Sequence, residues 1–289
     1  MHTTPTTEKP KLCTASFIKI CLVNFFIFVN FHALLPTFPF FITHLGGDAI
    51  AIGLATALFS LASIIARPFA GWLVDTKGRA TILIISLIGM TIIPMGYFVS
   101  AGISFAVLLR TIHGAFHATS SNAASTWVTD IVPMQRMGEG LGLYGLSMAL
   151  STAIAPALGL LIMNKLGFIH LFIAVAAAGL LALLISITIK DRSYSLSVQP
   201  LKINQLFESF GAVQPSLQTM AMRTVPPQRR GAASSTFFVA FDLGIALGGL
   251  LSGILVKYFG YDVMFIAIAI CGICSSGYFY FFASRQKMV

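Results

Sequence analysis

Apolar residues fall along this chain in long unbroken runs, unlike the narrow stripe of a helix that faces water on one side. Eight runs reach or approach the roughly 20 helical residues that cross a hydrocarbon core. They are 17–41, 49–70, 81–100, 104–127, 140–163, 168–189, 232–256 and 262–282. Lipid offers no partner to a bare amide, so each run is expected to be helical. The predicted fold class is therefore all-α, a polytopic membrane protein of eight transmembrane helices. Pro36 and Pro39 predict a kink or an end late in the first run. Connections 42–48, 101–103, 164–167 and 257–261 are short and force antiparallel neighbours. The one long polar connection, 190–230, holds a half-apolar piece at 210–222. That piece contains Gln214, Pro215, Ser216 and Gln218, too polar to span, and is expected at the interface. Three parts follow: a complete six-helix bundle over 1–189, a linker with a helix stub over 190–230, and a terminal helix pair over 231–289.

Composition sharpens this picture. Only 9% of residues are charged and 57% are hydrophobic, whereas a soluble domain carries about a quarter of its residues as Asp, Glu, Lys and Arg. The net charge of +9 does not indicate a nucleic-acid partner, because the bases fall in short loops and form no continuous face. With the N-terminus in the cytoplasm, 15 of the 18 Lys and Arg fall on the cytoplasmic side, Arg67 among them. Lys165 and Lys257 fall outside, and Arg110 lies within a span. That split predicts a multi-pass protein of the cell membrane with both termini cytoplasmic. Cys271 and Cys274 sit in an apolar run and read as small packing residues. No metal-ligand spacing, phosphate-binding loop or nucleophile–base pair is readable, so no cofactor and no enzyme activity are expected.

The chain also repeats itself. Val132, Pro133, Gln135, Arg136 and Gly138 recur as Val225, Pro226, Gln228, Arg229 and Gly231, an offset of 93. Held without gaps over 132–182 and 225–275, that offset gives 14 identities in 51 positions, including Gly167 with Gly260 and Gly179 with Gly272. Each copy is a basic loop followed by one helix out and one back. Parallel repeats of this kind are a feature of transporters.

Between the second and third runs stands Gly71-Trp72-Leu73-Val74-Asp75-Thr76-Lys77-Gly78-Arg79. It resembles the cytoplasmic signature Gly-x-Leu-x-Asp-x-x-Gly-Arg of the major facilitator superfamily, and in particular of its bacterial twelve-helix drug:proton antiporters. Physically, Gly71 permits close helix contact, Asp75 can pair with nearby bases or cap a helix, and Lys77 and Arg79 hold the segment inside. The fourth run carries Arg110, Gly114 and Ala118 at four-residue spacing, similar to the family's Arg-x-x-x-Gly-x-x-x-small pattern. An Arg within a span costs about 2.5–3.5 kcal/mol on insertion scales, so a polar cavity is expected beside Arg110. His117 and Ser121 fall near its direction on a helical wheel. Ser147, Ser151, Ala155 and Gly159 resemble the antiporter pattern of the fifth helix, with Ala155 and Leu160 where the family has Gly. Small residues at that spacing also serve plain helix packing. In the first run, Asn24, Asn30 and His32 are candidate cavity residues. Asp242 is the one acid deep in a run; it aligns with Ala149 in the repeat, and such a carboxylate can carry a proton or make a structural hydrogen bond.

The resemblance implies two six-helix halves, but the second half here retains only its last two helices. Helices seven to nine and most of ten are absent by this reading, with the join near 208–211. Two functions are expected to compete. One is proton-coupled efflux of small organic compounds, with membrane lipids, substrate and protons as partners. The other is an internally shortened, non-transporting membrane chain, or one that assembles with a second copy or another transporter chain. Alternating access needs two halves around a central site, which is why both stay open.

Overall fold

The computed structural model describes residues 11–100, 102–189 and scattered positions between 225 and 278. Among the described residues there are six long helices and no strand: α1 Ala15–His44, α2 Ala49–Lys77, α3 Arg79–Gly96, α4 Ile103–Ile131, α5 Met137–Leu166 and α6 Phe168–Ile187. An all-α polytopic membrane protein is thus the architecture. The spans expected at 232–256 and 262–282, and the linker at 190–230, lie largely outside the described residues, apart from an apolar helical segment Phe265–Ser275.

The helix ends follow local chemistry. Thr14 Oγ1 accepts from the Phe17 amide at 3.2 Å to open α1, and Asp48 Oδ1 accepts from the Ala51 amide at 2.9 Å to open α2. α1 does not end at its prolines but runs through both Pro36 and Pro39. Neither proline can donate to the carbonyl four residues back, on His32 and Leu35. α2 is seven residues longer than its apolar run, because the signature segment continues it to Lys77 instead of forming a loop. One residue, Gly78, then joins α2 to α3 at φ 98° and ψ 148°. Gly167 joins α5 to α6 in the same way, at φ 87° and ψ 177°. That corner of backbone space is open to glycine almost alone, so a one-residue reversal needs glycine at both places.

α1 is the inner helix, packed against α5, α6 and α4; α2 pairs with α4, and α3 with α6 and α4. Close approach depends on small residues. A Cβ on Gly114 of α4 would collide with the Phe59 carbonyl of α2, and one on Gly159 of α5 would sit 2.6 Å from the Ala33 carbonyl of α1. Ser151, Ala155 and Gly159 are all buried, so the antiporter-like register of α5 is its contact face with α1. Outward faces carry Ile50, Leu61, Ile92, Leu146, Leu161 and Ile169, apolar side chains suited to lipid. The core has two apolar clusters. One centres on Ile20, Leu83, Leu87, Trp127 and Leu141, the other on Leu34, Ile42, Tyr97 and Phe172.

Candidate functional site: a cationic, aromatic-walled cavity

Between α1, α2, α4 and α5 lies a cavity of about 590 Å³, within the size range of small-molecule sites. Its polar lining includes His32, Arg67, Arg110, His117 and Thr152; much of the remainder is aromatic. Arg110 is 4% exposed, and no carboxylate among the described residues pairs with it. Its Nη1 has no hydrogen-bond partner; the Tyr97 hydroxyl lies close by without meeting hydrogen-bond geometry. The guanidinium carbon instead stands 4.4 Å from the Phe59 ring centre and 4.9 Å from that of Phe38. Cation–π contacts of this kind contribute about 2 kcal/mol when desolvated. They offset part of the cost of burying the charge but leave its donors open.

His117, about two helical turns beyond Arg110, stacks on Phe31 at 4.5 Å and has an unpartnered Nδ1. Across the cavity, His32 Nδ1 lies 3.2 Å from Ser151 Oγ and 3.4 Å from Thr152 Oγ1, and its ring stacks near Phe28. His32 and Leu35, whose carbonyls the prolines leave without a helical donor, both line this space.

Of the expected residues, Arg110, His32 and His117 are brought together. Gly114 is on the same helix but serves the α2–α4 contact, where Ser63 Oγ donates to its carbonyl at 2.9 Å. Asn30 is not in the cavity. It is fully buried, donates to the Met90 and Val175 carbonyls at 3.1 and 2.8 Å, and its Oδ1 meets His113 Nε2 at 2.9 Å. One side chain of α1 thereby ties α3, α4 and α6 together. Asn24 likewise turns to α5, donating to the Tyr144 carbonyl and Ser147 Oγ. Asp242 lies outside the described residues.

Arg67 differs from its expected place. Its sequence context groups it with the cytoplasmic bases, but α2 runs on past it and buries it to 2% exposure in the cavity wall. It reaches Ser121 Oγ at 3.4 Å and stands 4.7 Å from the Phe238 ring, which also lines the cavity. The expected run 49–70 already held Arg67 near its end; the apolar residues continuing from Pro68 to Val74 are the signal that could have set it deeper in the helix. Phe31, Phe59 and Phe238 had no such signal.

The signature residues form a second site at one end of the bundle. Arg79 Nε bonds Asp130 Oδ2 of α4 at 2.9 Å, and its Nη2 lies 3.6 Å from Asp75 Oδ1 of α2. Gly71 is buried in α2, Lys77 is the last residue of that helix, and Gly78 makes the turn. Nearby, outside the spans, Arg136 pairs with Glu139 at 2.6 Å; that hydrogen bond raises the guanidinium pKa further above its ordinary value.

Six long helices among the described residues, four of them around an aromatic-walled cavity with a few polar groups, and a charge cluster across α2, α3 and α4 define a multi-pass membrane protein built to hold something small. The family model described as Major Facilitator Superfamily matches residues 20–210 and 203–288, and the chain belongs to that superfamily. It is 30% identical over 167 residues to a protein described as multi-drug resistance efflux pump PmrA homolog from Lactococcus lactis subsp. lactis (strain IL1403), covering 56% of this chain and 41% of that protein. It is 27% identical over 180 residues to multidrug resistance protein 2 of Bacillus subtilis (strain 168), covering 61% of this chain and 44% of that one. Against quinolone resistance protein NorA of Staphylococcus aureus (strain Mu50 / ATCC 700699) it is 26% identical over 165 residues, 57% of this chain and 42% of the other. The chain thus spans under half the length of the curated relatives it matches. The crystal structure of the human organic anion transporter MFSD10 (TETRAN) shares the fold, with a TM-score of 0.51 at 14% identity over 80% of this chain and 70% of that one.

Proposed function

We propose that this chain serves proton-coupled efflux of small organic compounds across the cell membrane, with both termini in the cytoplasm. The observation that carries the reading is Arg110: a buried cation, with no carboxylate partner among the described residues, at the wall of a small-molecule-sized cavity. Residues 1–189 form the substrate-holding bundle, 190–230 the cytoplasmic linker and 231–289 the terminal helix pair. His32 and His117 face the transported compound. Asp242 is the proton carrier; its counterpart in the repeat, Ala149, lines the cavity. Everted membrane vesicles holding only this chain test the reading. A pH gradient should drive accumulation of the neutral dye Nile red, and Arg110→Ala should abolish it at unchanged protein level. Gradient-insensitive dye levels would sink it.

The chain's short span relative to its curated relatives favours a second reading, in which it does not transport alone but assembles with a second copy or another transporter chain. Under that reading vesicles holding this chain alone are inactive. Transport then appears only when a chain supplying the remaining helices is co-expressed.

A further inference from the structure

The cavity's charges have one sign. Among the described residues every charged side chain lining it is an arginine, and no Asp or Glu contributes to its wall. The two arginines are not equivalent. Arg67 already has Ser121 and Phe238 as partners. Arg110 is engaged through the π faces of Phe38 and Phe59, with the Tyr97 hydroxyl close by, while its buried Nη1 donor has no hydrogen-bond partner. Ring faces take no N–H donor in the plane of the guanidinium, and an unpartnered donor there matches a carboxylate. In a desolvated site an unused cationic donor favours an incoming anion and disfavours a cation. Around it, Phe31, Phe59 and Phe28 present ring surface suited to a flat apolar body.

We propose that the cavity binds planar aromatic compounds bearing a single carboxylate, with the Arg110 guanidinium as the carboxylate's partner. The inference rests on reading the cavity as the substrate site and narrows that reading to organic anions. His117, with a free Nδ1 beside the same rings, stands on the ring side of such a ligand and not at its charge.

Equilibrium binding to the purified full chain in detergent at pH 7 tests this with three probes of one ring system: 1-naphthoate, 1-naphthalenemethanol and 1-naphthylmethylammonium. The expected result is that 1-naphthoate binds at least tenfold more tightly than the ammonium, with the neutral alcohol between them. Arg110→Gln should remove that order while the alcohol still binds, which shows the cavity intact. Arg110→Lys should keep the preference for the anion but weaken it, because an ammonium lacks the planar fork. Equal or tighter binding of the ammonium by the unaltered chain, retention of the anion preference in Arg110→Gln, or binding of none of the three would each overturn the proposal. Binding is read without a gradient or a membrane. Anion selectivity without vesicle transport therefore leaves this inference standing and removes the efflux reading; transport without anion selectivity does the reverse.

Discussion

Two buried arginines, Arg79 and Arg110, meet opposite surroundings within one bundle. Arg79 sits at a helix junction with a carboxylate from α2 and another from α4, at 3.6 and 2.9 Å. Arg110 sits in the cavity wall with two phenyl rings and, among the described residues, no carboxylate. The first arrangement is closed: the arginine is met by carboxylates of the same chain, and three helices are joined by those contacts. The second is open, with capacity left for something that is not part of the described bundle. Burial alone therefore does not mark a functional cation; the lack of a counter-charge within the described bundle does.

If that distinction is right, Arg79→Ala should produce the largest stability loss. It leaves Asp75 and Asp130 as neighbouring buried carboxylates, a change that costs about 3–5 kcal/mol when one partner of a buried pair is removed. A large fall in melting temperature in detergent is expected. Gly159→Ala comes next, because its Cβ would press on the Ala33 carbonyl and force α5 off α1. Overpacking of this kind costs about 1–3 kcal/mol, and the same thermal assay reads it. Asn30→Leu removes the tie between α1 and three other helices and should cost about 1–2 kcal/mol. Were Asn30 instead a cavity residue, that variant would change probe affinity and leave the melting temperature alone. Arg110→Gln should move stability by under about 1 kcal/mol, since no ion pair among the described residues is broken. A drop as large as that of Arg79→Ala would erase the contrast between the two sites. Smallest of all, Glu139→Gln should leave the melting temperature unchanged, because its partner Arg136 is solvated.

How much of this was readable beforehand depends on whether a residue's partners are near in sequence. The six helices of the bundle follow from apolar run length, with ends within a few residues except in α2. There, Asp75 and Lys77 look like loop residues because their charge is compensated by Arg79 and by the bundle end, which the linear sequence does not display. The same error displaced Arg67. Arg110 was legible because a lone base in an apolar run must face something polar. The aromatic wall was not. Lipid-facing and cavity-facing surfaces are both apolar, so the pattern that separates inside from outside in a soluble helix is missing here. Phe31 and Phe59 face the cavity while Phe40 and Phe69 face outward, and nothing local tells them apart. Asn30 failed for a related reason: a buried amide can serve a cavity or satisfy carbonyls, and only the positions of Met90, Val175 and His113 decide.

α4 carries a consequence for how the protein reaches its membrane. Five of the six long helices are apolar enough by composition to cross a bilayer; α4 is the one that is not. Its inner face holds Arg110, His113, His117, Ser120, Ser121 and Asn122, all buried by neighbouring helices. Presented alone to lipid during synthesis, such a segment would leave the insertion machinery for the hydrocarbon only reluctantly. α2, its main packing partner, and α3 are made first and are strongly apolar. The order of the chain thus supplies chaperones in cis: α1 and α2, which later wall the cavity with it, and α3 are already in the bilayer to receive the helix whose own composition does not carry it in.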